Sequence, residues 1–269
     1  MSNKKNLFYL TLALTVFLAG CSLRLGNSGP EAGVYKSFDK GETWGGKNRV
    51  IASSGIGNLA FLNIVDLYED PSDNKALYAT TQTNGLFYTY NGGDSWQQPA
   101  QLTAGFLKSI AVDPKDRCTI YVAATNKVLK TIDCNRSYVE VYVDSRPIAV
   151  SSVAVDGFNN NVIYAGSEGG EILKSTNAGG SWATINRFNN PVRKIIVDPF
   201  DTRTIYVATE KKGIFRSDNG GVTWRDLNDG LKPFSGGLDY RNLIIDQNSQ
   251  GNLLLATRYG IIRTADGGR

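Results

Sequence analysis

Histidine is absent from the 269-residue chain, and methionine occurs only at Met1. The first absence excludes a Ser-His-Asp triad, a Cys-His nucleophile pair and a histidine-based zinc site. Charge of one sign is also scarce. Lys and Arg exceed Asp and Glu by 29 to 25, a net +4 that falls to +2 once Lys4 and Lys5 are set aside with the leader described below. Such a balance gives no argument for a nucleic-acid partner. Also missing are an acidic cluster with calcium-loop spacing and a glycine-rich phosphate loop between strand and helix, so neither metal nor cofactor is expected. No helical periodicity follows Cys21. Apolar residues are plentiful, at 41% against 20% charged, enough to bury a core. Glycine, 29 residues in all, exceeds the usual share of roughly 7%.

The N-terminus has the order of a secretory signal: polar and basic from Ser2 to Asn6, apolar from Leu7 to Leu18, then Ala19, Gly20 and Cys21. Leu18-Ala19-Gly20-Cys21 resembles a bacterial lipobox. That resemblance implies loss of residues 1–20, a lipid on Cys21, and an extracytoplasmic protein anchored to a membrane of the bacterial cell envelope. The alternative is a transmembrane helix, but the stretch from Leu7 to Gly20 falls short of the roughly 20 residues that span a bilayer. Residues 26–33 are rich in glycine. Residues 21–32 are therefore expected to be the lipidated cysteine and a flexible tether, and residues 33–269 the folded domain.

Two cysteines remain, Cys118 and Cys134. They lie symmetrically about Thr125-Asn126-Lys127, which has the composition of a hairpin turn, so the two thiols could face each other across a ladder. A disulfide between them suits an exported protein. Two separate buried thiols are the alternative.

The dominant feature is an internal repeat. One eight-residue segment recurs at Ser37–Trp44, Thr89–Trp96, Ser175–Trp182 and Ser217–Trp224, and all four tryptophans occupy its last position. A degenerate copy is Thr131–Tyr138, and an incomplete one starts at Thr264. The third residue is Asp39, Asn91, Asp133, Asn177, Asn219 or Asp266. The fifth is Gly41, Gly93, Gly179, Gly221 or Gly268, with Asn135 as the exception, and the eighth is Trp44, Trp96, Trp182, Trp224 or, in the degenerate copy, Tyr138. An Asp or Asn can accept hydrogen bonds from amides ahead of it, the glycine can take positive φ, the hydroxyl can close the turn, and the tryptophan can pack on the neighbouring sheet. A structural role is expected for all of these residues, with the Cys118–Cys134 bridge offsetting the weakness of the degenerate copy.

Around each segment lie short strands: Ile110-Ala-Val-Asp113-Pro and its copies at 153, 195 and 243, Thr119-Ile-Tyr121-Val-Ala and its copies, a turn, Gly213-Ile-Phe-Arg216 and its copies, and a further run such as Val139–Val143. Four short antiparallel strands per unit of about 40 to 45 residues indicate a β-propeller blade, and the fold class is all-β. The last copy ends at Arg269, before its Ser/Thr and Trp. This leads us to expect a sequence cut within a ring of six to eight blades, the alternative being closure by the Gly33–Lys36 end.

The segment resembles the BNR repeat, or Asp-box, Ser/Thr-x-Asp-x-Gly-x-Ser/Thr-Trp, and the wider pattern resembles sortilin-type, xyloglucan-hydrolase and photosystem II assembly-factor propellers. The resemblance spans Gly33 to Arg269 and implies the fold; those families differ in function. Sialidases also carry Asp-boxes, but none of the seven glutamates here has the setting of a Tyr/Glu nucleophile pair. The xyloglucan hydrolases use two propellers in tandem, more than this chain holds, so no catalytic residue is assigned. Candidate binding residues come from the two longest departures from the repeat: Phe61 and Tyr68 in residues 58–70, and Phe234, Tyr240 and Arg241 in residues 231–241. The assembly-factor resemblance implies a non-catalytic scaffold for an envelope protein partner, with a glycan-binding or glycoside-hydrolase-like propeller as the alternative.

Overall fold

Runs rich in Val, Ile and Tyr, closed by Asp-Pro, Asn or Gly turns, fold into an antiparallel meander. The computed structural model describes residues 32–52 and 55–268. Residues 1–31, which include the expected leader and Cys21, lie outside them. Tyr35–Lys36 (β1) pairs with Gly45–Gly46 (β2), and Arg49–Ala52 (β3) with Gly55–Asn58 (β4). A 3-10 turn, Leu59–Phe61, then leads into blade 1: Ile64–Asp70 (β5), Asp73–Thr81 (β6) and Leu86–Thr89 (β7). Blade 2 is Leu107–Asp113 (β8), Asp116–Ala124 (β9), Lys127–Thr131 (β10) and Val139–Val143 (β11). Blade 3 is Val150–Val155 (β12), Ile163–Ser167 (β13), Glu171–Ser175 (β14) and Ala183–Arg187 (β15). Blade 4 is Val192–Val197 (β16), Ile205–Thr209 (β17), Ile214–Ser217 (β18) and Arg225–Asp226 (β19). After the 3-10 turn Asn228–Gly230, blade 5 is Tyr240–Ile245 (β20), Leu253–Thr257 (β21) and Ile261–Thr264 (β22). In blade 1 the fourth position is a single bridge, Tyr88 to Gln97.

The described residues thus form a five-blade β-propeller. First strands stand side by side around the axis: the Val153 amide donates to Ser109 Oγ at 3.2 Å, the Ile195 amide to Ser152 Oγ at 2.9 Å, and Ser151 Oγ to the Val192 carbonyl at 2.5 Å. Every first strand carries an irregularity at its second residue, which re-aims Val65, Lys108, Ser151, Arg193 and Arg241.

Apolar clusters fill the spaces between blades, and the tyrosines in the second strands of blades 1 to 4, Tyr78, Tyr121, Tyr164 and Tyr206, are almost wholly buried. Three blade junctions repeat one clasp. Lys130 lies over the Tyr121 ring, 5.3 Å from its centroid, and both side chains donate to the Ala178 carbonyl of the next blade, at 3.0 and 3.1 Å. Lys174 over Tyr164 reaches the Gly220 carbonyl at 2.9 Å, and Arg216 over Tyr206 reaches that of Gly267 at 2.9 Å. Each acceptor is the fourth residue of a repeated segment.

The segment itself is a turn closed by its own side chains. In Ser37–Trp44 the Thr43 amide donates to Asp39 Oδ1 at 2.9 Å, the Thr43 hydroxyl to Oδ2 at 2.5 Å, and the Gly41 amide to Ser37 Oγ at 2.7 Å. Asn91, Asn177 and Asn219 accept from the amides of Ser95, Ser181 and Thr223 in the same way. The fourth and fifth residues are both left-handed in every copy: Lys40–Gly41, Gly92–Gly93, Cys134–Asn135, Ala178–Gly179, Gly220–Gly221 and Gly267–Gly268. Glycine is therefore favoured at two positions. Trp96 is fully buried and Trp182 and Trp224 partly so, whereas Trp44 stands 62% exposed.

The degenerate copy carries its own substitutes. Asn135, left-handed at φ 69°, donates to Tyr90 Oη at 2.8 Å and accepts from Tyr138 Oη at 2.5 Å. Tyr138 thus bonds back to the fifth residue of its turn, as Trp44, Trp182 and Trp224 do through their indole N–H. Cys118 and Cys134 are joined in a disulfide, and the Cys134 amide donates to the Cys118 carbonyl at 3.3 Å.

Candidate functional site

In a four-stranded meander the turns between second and third strands share one face of the propeller with the links that enter each first strand. The repeated segments and the Asp-Pro turns, with exposed Phe158 and Phe200 beside them, lie on the other face. Residues 58–70 and 231–241 both end in first strands, so both candidate regions reach the same face. Tyr68 lies in β5 and Tyr240 opens β20, so neither stands on a loop. Asp70 ends β5 before Pro71, as Asp113 ends β8 before Pro114 and Asp198 follows β16 before Pro199, so this stretch is the first copy of the strand-and-turn element and no excursion from it.

Side chains from blades 1 to 4 and the backbone of blade 5 meet where the first strands begin. Lys108 of blade 2 pairs with Glu168 of blade 3. Arg193 of blade 4 bridges Glu168 at 3.1 Å and Glu210 at 2.7 Å. Lys194 crosses from blade 4 to blade 1, 4.0 Å from Asp66 and 5.4 Å from the Tyr68 ring. Tyr68 Oη donates to the Lys108 carbonyl at 3.3 Å, and the Tyr240 amide to the Glu210 carbonyl at 3.2 Å. Burial, with the Asp66 charge second, pushes both tyrosine phenols well above their ordinary value, so they stay neutral donors at any working pH.

The electrostatics count against acid catalysis at this mouth. The Lys108 ammonium, with Arg193 beside it, holds Glu168 below the usual carboxylate range. Glu168 and Glu210 share one guanidinium. A glycosidase needs one carboxyl held protonated across from another, and Glu168 is not placed for that. Among the described residues no group of three or more acidic or cysteine side chains could hold a metal ion, and no helix is long and apolar enough to cross a membrane.

The rim around this network is aromatic and basic. Phe61 is 85% exposed, Phe106 projects beside Lys108 with 5.4 Å between ammonium and ring, and Arg241 is exposed. Phe234 packs against Tyr259, tilted at 46° with 4.8 Å between ring centroids. The structure therefore brings Tyr68 and Tyr240 into the network and leaves Phe61, Arg241 and Phe234 around it. Asp66, Lys108, Glu168, Arg193, Lys194 and Glu210 were not singled out from sequence. Their signal was faint: charged residues at the second or third position of first strands, and a lone glutamate just after two second strands.

No protein-family model matches the chain, and no curated protein does. Solved structures do. The GH74 xyloglucanase from Xanthomonas campestris superposes with a TM-score of 0.65 at 19% identity, covering 89% of this chain and 41% of that one. An ancestral GH74 enzyme gives 0.62 at 21%, covering 76% and 30%, so the chain spans well under half the length of these glycoside-hydrolase structures. YCF48 from Cyanidioschyzon merolae gives 0.55 at 14%, covering 85% and 75%. At such identities the likeness is one of fold: the chain is built like β-propellers that include GH74 enzymes and YCF48.

Proposed function

We propose that the protein is a non-catalytic propeller scaffold, anchored in the bacterial envelope by a lipid on Cys21, that docks a protein partner on the face where its first strands begin. One observation carries the reading: the axial mouth on that face is crossed by a charge-paired network drawing on blades 1 to 4, which the Tyr240 amide of blade 5 joins, with exposed aromatic and basic side chains around it. Such a rim suits a polypeptide surface, because aromatic and arginine side chains dominate binding energy at protein interfaces. The repeated segments, read as Asp-boxes, then serve as staples on the opposite face. The GH74 likeness supports a second reading, a glycan-binding propeller, since the same aromatic rim offers faces on which sugars stack.

In-cell photo-crosslinking of the full-length protein, with the probe at Phe61 or Arg241 and controls at Phe158 and Phe200 on the other face, separates these. The scaffold reading expects one stoichiometric envelope protein, captured from the first two sites only. Capture of nothing specific there, with saturable binding to a polysaccharide panel, would establish the glycan reading instead.

A further inference from the structure

The chain enters its folded domain on the mouth face. Gly33 stands four residues before Ser37, as Gly85, Gly213 and Gly260 stand four before Thr89, Ser217 and Thr264, and all four glycines are at positive φ. The last three lie in the turns between second and third strands. The following amide is held alike: the Val34 N–H donates to Asn48 Oδ1 at 2.7 Å and the Ile214 N–H to Asn228 Oδ1 at 3.1 Å. β1 therefore runs as a third strand does, from the mouth face to the repeated segment on the other. A Cβ on Gly33 would lie 3.1 Å from the Ala60 Cα, so the point of entry is next to Phe61.

That placement matters for a domain anchored through Cys21. Gly33 comes 12 residues after Cys21, and 12 residues in any conformation reach no more than about 40 Å. A lipid on Cys21 holds the mouth-face entry point within that distance of the bilayer.

The chemistry of the face agrees. Phe61 is 85% exposed, Tyr259 55% and Phe106 40%. Lys211 and Lys212, in the turn between β17 and β18, and Arg241, second in β20, are exposed and have no acidic partner among the described residues. Glu210, beside the two lysines in sequence, is already bound to Arg193. Exposed rings among unpaired cations are what interfacial membrane binding uses: rings enter the headgroup region, and each cation near an anionic surface strengthens binding about fivefold.

We propose that the mouth face is a membrane-docking surface whose occupant, when no partner covers it, is a layer of anionic phospholipid headgroups. Phe61 and Phe106 enter that layer, and Lys211, Lys212 and Arg241 lie against its phosphates. The inference rests on the lipid at Cys21 proposed above and goes beyond the partner reading: a partner that docks on this face is met at the bilayer surface and displaces lipid from it.

The test uses the full-length protein, purified from membranes and reconstituted in vesicles of phosphatidylcholine with about one-third phosphatidylglycerol, some headgroups carrying a spin-label quencher. The fluorescent amino acid acridonylalanine replaces Phe61, Phe106, Phe158 or Phe200 in turn. Quenching at the first two positions is expected to exceed that at the other two at least about threefold. It should fall to their level on phosphatidylcholine alone, and in the Lys211→Glu, Lys212→Glu, Arg241→Glu triple variant at unchanged melting temperature. Equal quenching at all four positions, stronger quenching at Phe158 or Phe200, or quenching indifferent to both lipid charge and the triple variant would each overturn the proposal. No partner protein is present, so the partner reading is not at stake. Mass spectrometry of Cys21 separates the anchor: without a lipid there the anchoring reading fails, and the same chain is sedimented with the anionic vesicles, where saturable binding upholds the docking face and none overturns it.

Discussion

Asn135→Gly restores the residue that every other copy of the segment carries at its fifth position, so repeat logic alone says that it should stabilise the protein. The structure says the opposite. Relief of a left-handed non-glycine residue gains at most about 1 kcal/mol, and the greater freedom of glycine in the unfolded chain takes back about the same. Against that, two hydrogen bonds are lost, to Tyr90 and from Tyr138. Tyr138 is 7% exposed, so its hydroxyl loses a partner where water does not easily replace it, at about 1–3 kcal/mol. Tyr90 is more open and contributes about 0.5–1 kcal/mol. The net expectation is about 1.5–4 kcal/mol of destabilisation. At about 2–4 °C per kcal/mol for a domain of this size, melting should fall by about 3–15 °C in scanning calorimetry with the disulfide intact. Adding Tyr138→Trp, whose indole N–H can take the Gly carbonyl as Trp224 does, should recover part of the loss. Should the single variant melt at or above the parent temperature, the Tyr90–Asn135–Tyr138 chain is not what holds this turn.

Other perturbations probe the same construction. Cys134→Ser opens a link between residues 16 apart and should cost about 3 kcal/mol, visible as a melting drop of about 6–12 °C; an unchanged temperature would show the turn self-sufficient. Asp39 and Asp133 are pulled down from 3.8 to about 2, chiefly by the hydroxyls of Thr43 and Ser137. Their contribution is therefore present above about pH 4 and lost as pH falls towards 2, and the Asp39→Asn, Asp133→Asn double variant should show a flatter melting profile between those values. Gly221→Ala forces a Cβ against Ile185 at φ +92° and should destabilise by about 2–4 kcal/mol in urea titration, whereas Ala178→Gly at φ +54° should change stability by less than about 1 kcal/mol.

The fold was legible because its constraints are local and repeated. A turn that closes on its own Asp or Asn, with two left-handed residues and an aromatic at a fixed spacing, leaves the same eight-residue trace each time, and alternation between Asp-Pro and glycine turns marks the strands between. The mouth left no such trace. Lys108 and Glu168 lie 60 residues apart, and Lys194 meets Tyr68 and Asp66 across the axis, so the network exists only once blades are stacked in a ring. The clasps between blades fall in the middle. Tyr in the second strands of blades 1 to 4 and Lys or Arg in the third strands of blades 2 to 4 were visible as recurring letters, yet the target of the cation, the carbonyl of a left-handed residue one blade ahead, depends on geometry that no spacing encodes. The same logic explains why the degenerate copy misled. Read as letters, Asn135 and Tyr138 are two defects; in space they answer each other and Tyr90, and Tyr90 is the only aromatic besides Phe38 at the second position of any copy. Two departures that compensate one another across a blade junction look like decay in a single line of sequence and like a specific bond in three dimensions.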